Sequence, residues 1–269
     1  MADQAAVIVG VDASEGSLRA VRWAAHEAAR RGADLRLFHA CVVDPGDEAE
    51  PLPEHVTRRT RHAAKIARTA APGVEVDVHV ELGLAVDLLL AASGTAPLIV
   101  LGSHGLGGLR GALTGSVTLR VAAAAHCPVV VFRGQAGPQG PVVVGVDSSP
   151  ASEEALRFAV DAAVARGVPL VVAHAGRQQV PSIEPDQQAE DRRELGELVA
   201  GLAHEHPDLD VTARVVEDRE PARVLMAVAP DAQLIVVGSR GRGPVAGAVL
   251  GSTGNDLLAR SACPVAVVH

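Results

Sequence analysis

Residues 7–40 read VIVGVDASEGSLRAVRWAAHEAARRGADLRLFHA, and residues 142–175 read VVVGVDSSPASEEALRFAVDAAVARGVPLVVAHA. At an offset of 135 residues, Gly10/Gly145, Asp12/Asp147, Ser14/Ser149, Arg22/Arg157, Gly32/Gly167 and His39/His174 coincide. Farther along the offset becomes 136: LIVLGS at 98–103 matches LIVVGS at 234–239, and Cys127-Pro128-Val129 matches Cys263-Pro264-Val265. The loop-rich composition between residues 40 and 80 places the one-residue slippage there. A unit this long is a domain, not a solenoid repeat. The 269-residue chain therefore reads as two copies of one domain, 1–134 and 141–269, joined by the Gly- and Pro-rich segment 133–141.

Each repeat alternates strand and helix. Ala6–Val11 is a continuous Val-rich run, as a buried parallel strand requires. Asp12-Ala-Ser-Glu15 has the form of a capping box opening a helix. Leu18, Val21, Ala25, Ala28 and Ala29 give that helix an apolar stripe, and Gly32 suits its end. Strands follow at Leu35–Val43, Val74–Glu81, Pro97–Leu101 and Pro128–Arg133. Helices fall at 56–70, Ala85–Ser93 and Ser116–Ala125, with a loop over Asp44–His55. The second repeat keeps the order, with a polar loop at Gly176–Gln188. Five strands and four helices predict an α/β fold, an open parallel sheet covered on both faces, in each repeat. Ligands of such sheets bind beyond the carboxyl ends of the strands, where the winding reverses.

Composition narrows the functions available. The chain is 48% apolar, which excludes a disordered polymer. It has no Tyr and a net charge of −8, which argues against a stacking, basic nucleic-acid groove. Of 24 basic residues, only Lys65 is a lysine, and it lies in Ala63-Ala64-Lys65-Ile66. The Gly-Lys-Ser/Thr phosphate loop and a Lys Schiff base are thereby excluded. Residues 1–134 carry −1 and residues 135–269 carry −7, which reads as a solvated acidic surface on the second repeat. Cys41, Cys127 and Cys263 have no metal or CxxC spacing and read as reduced thiols. Met1–Ala6 lacks a basic n-region, and Leu82–Leu101 is interrupted by Asp87, Gly94 and Pro97. Neither a signal peptide nor a membrane span is expected, and the expected location is cytoplasmic.

The candidate site follows the fourth strand. Gly102-Ser-His-Gly105, nine residues, then Gly115-Ser116 recur as Gly238-Ser-Arg-Gly241, nine residues, then Gly251-Ser252. Glycines let the backbone approach a ligand, exposed amides form an anion nest, and a helix N-terminus favours phosphate. The Ser hydroxyl can cap the helix and donate to phosphate. Arg110 in the first repeat and Arg240 or Arg242 in the second can add charge at the rim. Asp12 and Asp147 end the first strands, where a carboxylate accepts from ribose hydroxyls or caps the next helix.

Together, Val-Gly-Val-Asp-Ala-Ser (9–14), Val-Gly-Val-Asp-Ser-Ser (144–149), the two G-x2-G-x9-G-S segments and the closing Cys-Pro-Val identify a resemblance. Each repeat resembles a universal stress protein domain, and the whole chain resembles a tandem universal stress protein of the kind found in actinobacteria. The resemblance implies a Rossmann-like, adenine-nucleotide-hydrolase-like sheet of order 3-2-1-4-5, with ATP, with or without Mg²⁺, between strands one and four. It further implies dimerisation through strand five, which can pair the two repeats, a homodimer, and a regulatory role toward a protein partner that the sequence does not name. Carried over by position, Asp12 faces the ribose and the backbone of Ala40 or Cys41 meets the adenine edge. Gly102, Gly105, Gly115 and Ser116 hold phosphate, with Val117 and Thr118 continuing the run. In the second repeat Asp147, Ala175, Gly238, Gly241, Gly251 and Ser252 correspond. There the run departs to Thr253-Gly254, Pro221 replaces Ala85, and Arg219 replaces Gly83, so nucleotide binding is expected mostly in the first repeat.

Other patterns weigh less. Gly241-Arg-Gly243-Pro-Val-Ala246 fits a loose dinucleotide pattern but follows strand four and contains Pro244. His204-Glu-His206 falls short of zinc-protease spacing. His39 and His174 read as packing or rim residues. A slow ATP hydrolase or adenylyl-transferring enzyme is the alternative function. No general base stands beside the glycine segment and no acidic pair is fixed for Mg²⁺, so binding is favoured over turnover. An empty structural pseudo-dimer is the third reading.

Overall fold

The computed structural model describes residues 6–12, 14–41, 53–103, 114–134, 139–147, 149–176, 187–218, 220–228, 230–241 and 250–269. Most of the two expected loops, at 44–55 and 176–188, lies outside these residues. The chain divides into two compact units, Met1–Arg133 and Gly134–His269.

Unit 1 runs β1 (Val7–Gly10), α1 (Glu15–Arg31), β2 (Leu35–Cys41), α2 (Glu54–Ala70), β3 (Val76–Leu82), α3 (Ala85–Ala92), β4 (Ile99–Gly102), α4 (Ser116–Ala124) and β5 (Val129–Phe132). Its strands are parallel, in the order β3-β2-β1-β4-β5. Unit 2 runs β6 (Val142–Gly145), α5 (Pro150–Arg166), β7 (Leu170–Gly176), α6 (Gln187–Glu205), β8 (Val211–Glu217), α7 (Pro221–Val228), β9 (Leu234–Gly238), α8 (Ser252–Arg260) and β10 (Val265–Val268). Its parallel order is β8-β7-β6-β9-β10. In each unit the first and fourth strands lie side by side, and the chain winds outward from them in opposite directions. That reversal leaves a crevice at their carboxyl ends.

Central strands are apolar on both faces because helices cover both. Val7 and Val9 are wholly buried, as are Ile99, Val100 and Val129–Val131. Each such side chain contributes roughly 1.5–3 kcal/mol of burial. The edge strand β3 is mostly exposed, and its Asp77 pairs with Arg36 of β2 at 3.2 Å, charge that discourages edge-to-edge association.

Small residues set the helix–sheet distance. The buried face of α1 is Ser17, Ala20, Val21, Ala24, Ala25, Glu27 and Ala28. The expected stripe is thus corrected: Leu18 is half-buried and Ala29 exposed. The helix starts at Glu15, and this phase turns its alanines, not its leucine, onto the sheet. Gly32 ends the helix in the left-handed region at φ 61°, as the sequence suggests.

The register corrects the place of the slippage. The offset is still 135 at the third strands (Val76/Val211) and becomes 136 at the third helices (Ala85/Pro221). The extra residue therefore sits in the turn after β8. Among the described residues no helix is long and apolar enough to cross a membrane.

Candidate functional site

The carboxyl end of β1 leads into a short polar network. Asp12 Oδ1 accepts from Ser14 N at 3.0 Å and from Ser14 Oγ at 2.7 Å. Ser14, not Asp12, is the N-cap of α1, and its Oγ accepts from Ser17 N at 3.1 Å. The capping-box reading of Asp12 is corrected accordingly: its side chain organises the turn before the cap. Unit 2 repeats the arrangement. Asp147 Oδ1 accepts from Ser149 N at 3.1 Å and Oγ at 2.6 Å, and Ser149 caps α5 through Ser152 N at 3.3 Å. Ser17 and Ser152 were not singled out in the sequence, although Asp-x-Ser-x-x-Ser recurs at identical spacing in both repeats.

The histidines near this end are packing residues. His39 Nδ1 lies 2.5 Å from Val11 O, and His174 Nδ1 lies 2.7 Å from Val146 O. A carbonyl only accepts, so both rings carry their proton on Nδ1. Each ring thereby ties the second strand to the chain leaving the first.

Backbone direction separates the two adenine-edge candidates. Leu35 N donates to Glu75 O and Gly83 N to Cys41 O, both at 2.9 Å on the β3 side, whereas Val11 N donates to Phe38 O at 2.8 Å on the β1 side. Backbone groups of successive strand residues turn to opposite neighbours. Ala40 therefore faces the crevice above β1, and Ala175 does the same above β6. Cys41 is directed toward β3 and is corrected: its carbonyl is engaged by Gly83.

The glycines of the segment divide into different roles. A Cβ on Gly102 would stand 2.8 Å from the Gly16 carbonyl carbon and 2.9 Å from Ser17 N. On Gly238 it would stand 2.8 Å from the Ala151 carbonyl carbon. Both glycines let the first turn of a helix close on the strand, a packing role that needs no ligand. Gly241 is small for another reason: a Cβ there would lie 2.6 Å from Asp147 Oδ2, so the carboxylate and the glycine segment meet.

Gly115 and Gly251 are the N-caps of α4 and α8, and among the described residues no side chain caps either helix. Ser116 and Ser252 are exposed first residues of these helices and do not cap them, contrary to expectation. Both helices start at the crevice, where the amides of a helix N-terminus favour an acceptor. Gly115 N donates to Ser103 O at 2.8 Å and Gly251 N to Ser239 O at 3.0 Å, which fixes each helix start against its strand. Thr118 is 6% exposed, and its Oγ1 donates to Gly102 O at 2.9 Å. It braces α4 against β4. In unit 2 the corresponding Gly254 offers no such brace; instead Asn255 Nδ2 donates to Leu250 O at 3.0 Å. Val117 is half-buried and Arg240 exposed. Gly105, Arg110, Arg242, Arg219 and most of the loose dinucleotide pattern lie outside the described residues.

Among the described residues no group of three or more His, Cys, Asp or Glu is placed to hold a metal. Cys127 and Cys263 are buried, and burial raises both thiols, Cys127 to about 11. They are inert packing residues at ordinary pH.

A model described as the Universal stress protein family matches residues 5–133 and 140–269. A universal stress protein of Mycobacterium tuberculosis (strain ATCC 25618 / H37Rv) is 38% identical over 285 residues, covering 98% of this chain and 96% of the relative. Another, of Mycolicibacterium smegmatis, is 36% identical over 286 residues, again covering 98% and 96%. In fold, the chain is similar to the crystal structure of a universal stress protein from Archaeoglobus fulgidus DSM 4304, with a TM-score of 0.76 at 22% identity, covering 99% of this chain and 98% of that one.

Proposed function

The chain belongs to the universal stress protein family, and on that premise we propose that it is a nucleotide-dependent regulatory protein that binds ATP in unit 1. The observation that carries this reading is the N-terminus of α4 at the crevice, which no side chain caps among the described residues. It starts beside the carboxyl end of β4, at the strand reversal, with the Asp12 turn at the end of the neighbouring β1. In this reading the amides at Gly115 and Ser116 take the phosphates, with the helix dipole adding to their attraction. Asp12 lies on the ribose side and the Ala40 backbone meets the adenine edge. Gly102 and Thr118 shape the site without touching the nucleotide. The protein supplies binding and orientation, and the regulatory consequence is a change in its surface toward a partner.

Unit 2 keeps the Asp147 turn, the Ala175 edge and a glycine-led α8 N-terminus but lacks the threonine brace. It is the weaker site. Calorimetric titration of the full chain with ATP, together with mass spectrometry of any ligand released on purification, tests the reading. Saturable binding that loses about one site in Gly115→Leu supports it; no saturable binding at millimolar ATP overturns it. Turnover of Mg-ATP well above background replaces it with a slow hydrolase.

A further inference from the structure

Helix α2 has an outer face at odds with the rest of the chain. It carries Arg58, Arg59, Arg61, Lys65 and Arg68 against the single acid Glu54, in a protein of net charge −8. Its inner face, Val56, Thr60, Ala63, Ala64 and Ala67, is buried. Arg58, Arg61 and Lys65 project into solvent, and among the described residues none of the three is in an ion pair. They fall at i, i+3 and i+7, one stripe about 10 Å long. Arg68 is apart from them, donating to Val76 O at 3.1 Å. The only lysine of the chain therefore stands in a basic strip that the nucleotide reading does not use.

Unit 2 holds a feature of opposite sign. A cleft of about 600 Å³ opens between the end of α5 and the turn from α6 to β8. Its apolar part includes Val168, Leu209 and Val164, the last 53% exposed. Its rim carries the exposed carboxylates Glu205, Asp208 and Asp210. In the first repeat, Ala29, Ala33 and Gly73 occupy the positions of Val164, Val168 and Asp208. The second repeat has gained apolar bulk and a carboxylate at the same place. It lies at the amino ends of the strands, away from the crevice.

We propose that the outer face of α2 of one molecule docks on the acidic cleft of unit 2 of a second molecule. Three cations meet three carboxylates, and the aliphatic stems of the arginines cover the exposed valine. A nucleic acid fits less well, because the net charge of −8 repels a phosphate polymer beyond the strip itself. The second molecule brings the complementary charge on the half of the chain that carries −7. The two surfaces differ, so the contact is heterologous and propagates beyond a pair.

Sedimentation velocity of the full chain over a range of concentrations, in about 0.1 M and about 1 M salt, tests the proposal; the screening length falls from about 10 Å to about 3 Å between them. Expected are association that weakens about tenfold or more in high salt, and its loss in Arg58→Glu/Arg61→Glu/Lys65→Glu and in Glu205→Arg/Asp208→Arg/Asp210→Arg. Mixed in equal amounts, the two variants pair through the intact cleft of the first and the intact α2 of the second, so the mixture regains association that neither shows alone; a mixture that stays dissociated overturns the proposal. Arg58→Gln/Arg61→Gln/Lys65→Gln, checked for an unchanged melting temperature, repeats the loss without charge reversal. Association that both variants retain, or none in the wild type, overturns the proposal. A wild type that stays unassociated but binds a single-stranded oligonucleotide through the same arginines also overturns it, in favour of a polyanion.

Discussion

Replacing Gly115 with Asp separates what stabilises α4 from what makes its N-terminus a binding site. Gly115 is the N-cap, in an extended conformation at φ −68° and ψ 144°, which any residue adopts. Asp there supplies the missing side-chain acceptor, worth a few tenths of a kcal/mol over Gly. Its charge at the positive end of the helix adds about 0.3–1 kcal/mol. Together they raise the melting temperature of unit 1 by about 2–4 °C. The same carboxylate occupies the amides assigned to phosphate and repels it: two unit charges about 4 Å apart cost about 4 kcal/mol at an effective dielectric constant near 20, and less when screened. ATP affinity should therefore fall by about tenfold to a thousandfold. Scanning calorimetry reads the first effect and isothermal titration the second. A melting temperature that falls would refute the capping argument. An unchanged dissociation constant would refute the placement of phosphate at this helix.

Gly102→Ala drives a Cβ to within 2.9 Å of the backbone of α1 and should cost about 1–3 kcal/mol in urea unfolding, with ATP stoichiometry retained in the folded fraction. Thr118→Val leaves the Gly102 carbonyl without its donor and should cost about 1–3 kcal/mol, while Thr118→Ser restores most of it. Because burial raises the Cys127 thiol from about 9 to about 11, the unfolded chain loses that proton first. Stability should then decline as pH rises from about 9 toward about 11, a slope that Cys127→Ala removes. At pH 8, mass spectrometry after brief iodoacetamide treatment should find Cys41 alkylated ahead of buried Cys127 and Cys263.

Local chemistry made much of the fold legible. The Val-rich runs, Gly32 after the basic last turn and the repeated order of elements each follow from residues close in sequence. The limits of local reading are equally specific. Asp12 and Ser14 both have the chemistry of an N-cap, and only the entry path of the chain decides that Ser14 takes the role. The glycines of one motif look equivalent, yet Gly102 answers to Gly16 and Ser17, which lie far away in sequence. Ala40 and Cys41 are separated by which neighbour β2 has on each side, a property of the sheet and not of the strand. The slippage lies in the turn after β8: β2, β3 and their counterparts keep the offset of 135 although α2 and α6 differ in length, and the change appears only at α3 and α7.

The bond from Gly115 N to Ser103 O has a consequence for how the family can vary. It joins the start of α4 directly to the residue that follows β4, across the span between them in sequence. Doubling the length of such a span adds only about 0.6 kcal/mol of closure entropy. A span of different length can therefore join the same clasp at small cost, while the sheet and the start of α4 stay in place.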